Sequence, residues 1–269
     1  MANPGRRSAA DVNTRREQML DRILSQGRAE IQQLADEFGI SAMTVHRDVD
    51  SLVADGLLAK HRGWVEAPSA LLVQTSARWR LRSGQEVKSV LATAAVGFLT
   101  DARSVLVDDS TTCLGVLPGL ARPLGNLTVV TNYLRAARLA GNRLGIRVHL
   151  LPGEYEPDLD AVFGVATVDA VRTWRVDVAL LSVPAVADGQ LFHPLPESRA
   201  LKVAMTEAAD RRVLLVDHSK FGHTSTYVFP PLRPTDLVVL DDATPTAEID
   251  AIRAAGAQVH IVPTPVETY

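Results

Sequence analysis

Apolar and polar positions follow one pattern up to about residue 67 and another from about residue 84. In 14–27 (TRREQMLDRILSQG), Met19, Leu20, Ile23 and Leu24 recur at helical spacing before a stop at Gly27. The segment 30–40 repeats this with Ile31, Leu34, Ala35 and Phe38, then Gly39. In 41–56, Ser41 is placed to cap a third helix, Val45, Val49, Leu52 and Val53 form its inward stripe, and Gly56 closes it. Residues 57–67 alternate weakly and turn at Arg62-Gly63, which predicts a small β-hairpin.

The second pattern begins with a helical segment, 89–101. Short apolar, β-rich runs follow at 104–109, 127–132, 147–153, 177–183, 212–219, 236–242 and 257–262. Helix-like segments at 111–121, 133–144, 160–174, 198–211 and 245–255 separate most of them. Strands apolar on both faces that alternate with helices predict a mostly parallel sheet covered by helices. The expected division is a polar tail over 1–12, a helical unit over 13–67, a linker over 68–83 and an α/β unit over 84–269.

Composition narrows this picture without redirecting it. Of 269 residues, 46% are hydrophobic and 22% charged, as in ordinary globular proteins. No apolar run is long enough to span a membrane, the N-terminus lacks a secretory apolar stretch, and one cysteine, Cys113, excludes an internal disulfide framework. A cytoplasmic protein without a membrane partner is expected. The net charge is −3, so no global basic excess points to nucleic acid, and any such function must rest on local charge placement.

Three short helices and a hairpin suggest a winged helix-turn-helix. The turn Phe38-Gly39-Ile40-Ser41 supplies a sharp reversal, an apolar plug and a cap. The outward stripe of the third helix is Met43, His46, Arg47 and Asp50, beside Thr44. Arginine and hydroxyl groups on such a face suit the major groove of double-stranded DNA. Arg15, Arg16, Lys60, His61 and Arg62 would add positive charge near the phosphates. The same periodicity would also fit a small core, a dimerisation bundle, or a winged helix that contacts protein.

The segment LADEFGISAMTVHRDVDSLVADGLLAKHRG resembles the DNA-binding segment of DeoR-type bacterial transcription regulators, with Thr44, Arg47 and Asp48 at family positions. His46 replaces the first arginine of the usual pair, and Arg62-Gly63-Trp64 departs from a Gly-Gly wing tip. The resemblance continues through five stretches in the family's order: VDDSTTCLG (107–115), VVTNYLRAA (129–137), LPGEYEPDLDAVFG (151–164), ESRALKVAM (197–205) and LLVDHSKFG (214–222). It implies an α/β sensor domain like the sugar-phosphate isomerases. The implied activity is repression of carbohydrate genes, relieved by a phosphorylated sugar, in a homo-oligomer without cofactor.

The loops can also be read chemically. A strand that runs into Ser110, Thr111 and Thr112 and opens a helix offers hydroxyls and backbone N–H groups to an anion. Thr131 and Asn132 repeat that arrangement. In open α/β sheets the ligand crevice lies at the carboxyl ends of strands, where Asp108, Asn132, Gly153, Asp217 and Lys220 fall. Lys220 suits a phosphate, and Asp108 or Asp217 a sugar hydroxyl, with Glu154 and Lys202 as further candidates. Simpler readings stay open. Ser110 could merely cap a helix, Asp217 and Lys220 could form an ordinary ion pair, and Cys113 could be a small buried residue. The histidines lack metal-ligand spacing, so no metal is expected. Asp109 and Ser110 replace the family's small residue and glycine, Pro152 replaces a glycine, and His218 stands where serine is common. An isomerase-like enzyme using Asp217 and Lys220 as acid or base is the alternative.

Overall fold

A computed structural model describes residues 9–67, 77–120 and 127–264 and divides the chain into two compact units, Met1–Gln85 and Glu86–Tyr269. The first unit is built from α1 (Ala9–Gln26), β1 (Arg28–Glu30), α2 (Ile31–Glu37), α3 (Ala42–Ala54), β2 (Ala59–Lys60), β3 (Trp64–Glu66) and a short α4 (Ala77–Arg80). Its core interleaves Met19, Leu20 and Ile23 of α1 with Ile31 and Leu34 of α2 and Val45, Val49 and Leu52 of α3. These are the positions that the helical periodicity marks as inward. Leu24, Ile40 and Val53 are partly buried against the same cluster.

Gly39 (φ 60°) makes the reversal between α2 and α3, and the Ser41 hydroxyl accepts a hydrogen bond from Thr44 N at 3.2 Å. The wing is an antiparallel three-stranded sheet in the order β1-β3-β2. Two boundaries differ from expectation. Helix α1 starts at Ala9, inside the expected tail, and α4 lies inside the expected linker. Residues 1–8 and 68–76 of those segments lie outside the described residues.

The second unit opens with α5 (Gln85–Gly97), and seven parallel strands form its sheet. They are β4 (Ser104–Val107), β5 (Leu127–Thr131), β6 (Ile146–Leu150), β9 (Val176–Leu181), β12 (Ala209–Val216), β14 (Leu237–Asp241) and β15 (Gln258–Val262), in the spatial order β15-β14-β12-β9-β4-β5-β6. The chain builds outward from β4 through β5 to β6, then returns to β9 on the other side of β4 and continues outward again. The sheet therefore has its topological switch point between β4 and β9, where such folds leave a crevice at the strand ends. The connecting helices are α6 (Thr111–Leu114), α7 (Leu134–Gly141), α8 (Val165–Arg172), α9 (Pro196–Glu207) and α10 (Thr246–Ala254).

The structure adds pieces that a strand–helix alternation hides. A hairpin of β7 (Glu154–Glu156) and β8 (Ala161–Phe163) occupies the start of the segment expected to be a helix over 160–174. Gly164 (φ 108°) ends the hairpin, and α8 begins only at Val165. A second small sheet, β10 (Ala185–Ala187), β11 (Gln190–His193) and β13 (Tyr227–Val228), folds from an apolar run with no polar alternation to announce it. The expected helix over 111–121 breaks into four-residue α6 and a 3-10 turn at Leu117–Leu120. Gly115 and Gly119 let this segment pack closely on α5, because added Cβ atoms would lie 2.8 Å from Ala92 Cβ and 2.5 Å from a Val96 methyl. No helix among the described residues is long and apolar enough to cross a membrane.

Candidate functional site

On the first unit, α3 buries one stripe and turns the other outward. Met43 is 67% exposed, Arg47 is exposed, and Thr44 and His46 are half-buried beside them. Arg47 and Arg62 have no ion-pair partner among the described residues. Arg15, Arg16, Lys60 and His61 are engaged. Arg15 Nε donates to Asp48 Oδ2 at 2.8 Å and Arg16 Nε to Asp48 Oδ1 at 2.9 Å, so both arginines hold α1 to α3 and are not free for a backbone phosphate. Asp48 is almost fully buried between them. Its position inside a helix that is otherwise apolar on that side was the available signal, and sequence reasoning missed its role. Lys60 Nζ lies 2.5 Å from Asp50 on α3. His61 stacks on Trp64 with ring centroids 4.0 Å apart and also meets Glu66 at 2.9 Å, which stiffens the wing.

On the second unit, the switch point is closed by side chains of the protein itself. Asp108, directly after β4, accepts Ser110 N and Ser182 N, each at 2.9 Å, and pairs with Lys202 Nζ from α9. Lys202 also lies 3.3 Å from Asp109 Oδ1 and donates to Ser182 O at 3.2 Å. Burial opposes the ammonium charge, but Asp108 and then Asp109 outweigh it and hold the Lys202 pKa above its usual value. The Ser110 hydroxyl caps α6 by accepting from Cys113 N at 3.1 Å. Burial, followed by the nearby Asp108 charge, pushes the Cys113 thiol well up, so it is an inert core group. Thr111 and Thr112 are buried in that turn.

Thr131 donates to Val107 O at 2.7 Å and accepts from Tyr133 N at 3.0 Å, tying β5 to β4. Buried Asn132 donates to Val162 O at 3.2 Å, while its Oδ1 has no hydrogen-bond partner among the described residues. Gly153 (φ 151°) lies against Thr167 and Phe163, and Glu154 is exposed on β7. After β12, a 3-10 turn (His218–Lys220) is capped by buried Asp217, which accepts from Ser219 N at 3.1 Å and from the Ser219 hydroxyl. Lys220 Nζ stands 3.9 Å from Asp217. Burial alone would raise the Asp217 pKa; Lys220, the Ser219 hydroxyl and Lys88 together lower it below the usual value. Beside this turn, fully buried Asp241 accepts His218 N at 2.7 Å and His218 Nδ1 at 2.8 Å. Among the described residues no cluster of three or more His, Cys, Asp or Glu side chains could hold a metal.

A model of the DeoR-like helix-turn-helix domain matches residues 15–70, and a model of the DeoR C-terminal sensor domain matches residues 83–242. The chain belongs to the DeoR family of transcription regulators. Similar relatives include the HTH-type transcriptional repressor GlcR of Bacillus subtilis, 26% identical over 90% of this chain and 93% of that one. The putative aga operon transcriptional repressor of Escherichia coli O157:H7 is 24% identical over 96% and 97%. The glycerol-3-phosphate regulon repressor of Escherichia coli K12 is 26% identical over 87% and 92%. Ribose 5-phosphate isomerase A from Neisseria gonorrhoeae overlays with a TM-score of 0.36 at 15% identity, covering 52% of this chain and 54% of that one.

As a DeoR regulator the protein couples a DNA-binding unit to a small-molecule sensor, and it is not an enzyme. The family assignment removes the isomerase-like alternative. The geometry also gives several sensor residues partners or packing duties within the protein. Asp108 and Lys202 satisfy each other, Thr131 is used up by backbone, Ser110 caps a helix, and Gly153 meets a packing need. Ser182, Lys88 and Asp241 join the strand-end network without having been singled out.

Proposed function

We propose that the protein represses carbohydrate-metabolism genes in the cytoplasm as a homo-oligomer and leaves its operator when a phosphorylated sugar binds the sensor unit. The observation that carries the DNA half is the outer face of α3, where exposed Arg47 has no partner among the described residues and sits one residue from the Asp48 clamp. A helix held rigidly from behind by two arginines presents its front face at fixed orientation, which base-edge recognition requires. Met43, Thr44, His46 and Arg47 read the groove, Ser41 fixes the helix start, and Lys60, His61 and Arg62 carry the wing along the phosphates.

The relatives' names include a repressor of a glycerol-3-phosphate regulon, which favours a phosphorylated effector. The strand-end surface near Asn132, Glu154, Asp217 and Lys220 is the candidate site, with Ser110, Thr111 and Thr112 beneath it. For an effector to release DNA it must bind the two states with different affinity.

The test is a gel shift of the full chain on DNA from upstream of its own gene. Wild type should give a salt-sensitive shift that phosphorylated sugars reverse. Arg47→Ala should weaken specific binding by about 1–3 kcal/mol, roughly tenfold or more, with an unchanged fold. Equal affinity of the variant would mean that α3 is not the reader.

A further inference from the structure

The crevice that the topology provides between β4 and β9 is filled from within. Asp108, the Ser182 amide and Lys202 close it, and both charged side chains are buried. The loop after β4 also suits an anion poorly. It sets two buried carboxylates, Asp108 and Asp109, against one lysine, and Ser110 spends its amide on Asp108 and its hydroxyl on Cys113 N. A dianion placed there would meet like charge in a low-dielectric setting.

The turn after β12 has the opposite character. Around the ends of β4, β9, β12 and β14, Lys202 and Lys88 are buried, whereas the His218 side chain is 44% exposed and that of Lys220 33%. Each is backed by a carboxylate that is itself buried, Asp241 behind His218 and Asp217 behind Lys220. A carboxylate only accepts, so His218 Nδ1 carries the hydrogen shared with Asp241, and Nε2 is left without a partner among the described residues. Nε2 can accept from a phosphate or hydroxyl O–H, or donate once protonated. Lys220 Nζ, 3.9 Å from Asp217, can bond a ligand without breaking a tight pair.

We propose that the anionic end of the effector docks on the 218–220 turn, held by His218 Nε2 and Lys220 Nζ, with Asp241 as the residue that positions the imidazole, and not in the loop between β4 and α6. This rests on the reading of the effector as a phosphorylated sugar. It makes His218 the residue that distinguishes this sensor from relatives with serine there.

The experiment uses the full-length protein with ring-15N histidine, titrated with inorganic phosphate and with glucose 6-phosphate. Calorimetry against phosphorylated pentoses and hexoses runs in parallel. Saturable movement of the His218 Nε2 signal with phosphate is expected. Loss of at least about tenfold in affinity for the best-binding sugar phosphate is expected in both His218→Gln and Lys220→Met, the equivalent of one charge-assisted hydrogen bond. Asp241→Asn should weaken binding, and its His218 Nε2 signal should respond less to phosphate than in wild type, which a merely structural role would leave alone. If His218→Gln fails to fold, Lys220→Met and the signal in wild type still decide.

A sugar phosphate that binds wild type and both variants equally, with His218 unmoved, overturns the location and leaves the effector reading standing. If no phosphorylated sugar binds wild type and phosphate leaves His218 unmoved, the effector reading fails and takes the location with it.

Discussion

Lys202 of α9 reaches across the ends of β4 and β9 to Asp108, and neither side chain is open to solvent. This contact sits where the strand order reverses, so a bond internal to the protein occupies the place that an enzyme of similar architecture would leave for substrate. Replacing Lys202 with Met should leave Asp108 and Asp109 buried without a cation. The expected cost is about 3–5 kcal/mol, read as a lower urea midpoint for the sensor unit. A loss under about 1 kcal/mol would mean that the pair contributes little to the stability of the sensor unit.

That pair also shows where the sequence stops being legible. Alternation of apolar runs and helices was enough to place the seven strands, and spacing identified the α3 stripe, because both follow directly from which faces are buried. Asp108 was a candidate binding group because it falls at a strand end, and Lys202 because its stretch resembles the family's. That they partner each other across 94 residues depends on packing, which no local pattern encodes. Asp241 behind His218 and Asp48 behind Arg15 and Arg16 were missed likewise. The β10–β11 hairpin was missed because its strands are largely buried and show no alternation, although its Asp188-Gly189 turn, both residues at positive φ, was a readable signal.

Gly153 stood among the candidate ligand contacts, and the structure gives it another duty. An added Cβ would lie 2.1 Å from Thr167 Oγ1 and 2.5 Å from Phe163 O, at a φ of 151°. The Thr167 hydroxyl is itself fixed by a 2.7 Å bond to Pro152 O, so it cannot simply turn away. Gly153→Ala should therefore lower stability by about 1–3 kcal/mol in thermal or urea unfolding. A variant of unchanged stability that lost effector response would restore the glycine to the binding site.

Asp217 makes stability depend on acid in a defined direction. Its carboxyl pKa is lowered in the folded protein: burial pushes it up, but Lys220, the Ser219 hydroxyl, Lys88 and His218 together outweigh burial. A group depressed by folding stabilises the native state above its unfolded pKa, about 3.9, and loses that contribution as pH falls through the folded value. Wild type should lose stability below about pH 4 more steeply than Asp217→Asn, which carries no titrating group there. Denaturant midpoints measured across that range give the comparison. Parallel acid limbs would show that folding does not lower the Asp217 pKa.

Asp48 tests whether the DNA-reading face depends on what stands behind it. Its two oxygens are divided between Arg15 Nε and Arg16 Nε at 2.8 and 2.9 Å, so one carboxylate fixes the side of α3 against α1 at two points. The charge is buried, while the arginines are partly open to solvent, which screens them and moderates the cost of breaking the pair. Asp48→Asn keeps the shape but removes the charge and half of the accepting capacity, and should cost the first unit about 2 kcal/mol. DNA affinity should fall with it even though Asp48 points away from the groove. Raising the stability of the same variant with a compatible osmolyte should then recover part of the affinity, because the reading residues are untouched. Arg47→Ala, whose loss lies in the contact itself, should show no such recovery. If osmolyte rescued both variants equally, α3 would be acting only through the stability of its fold.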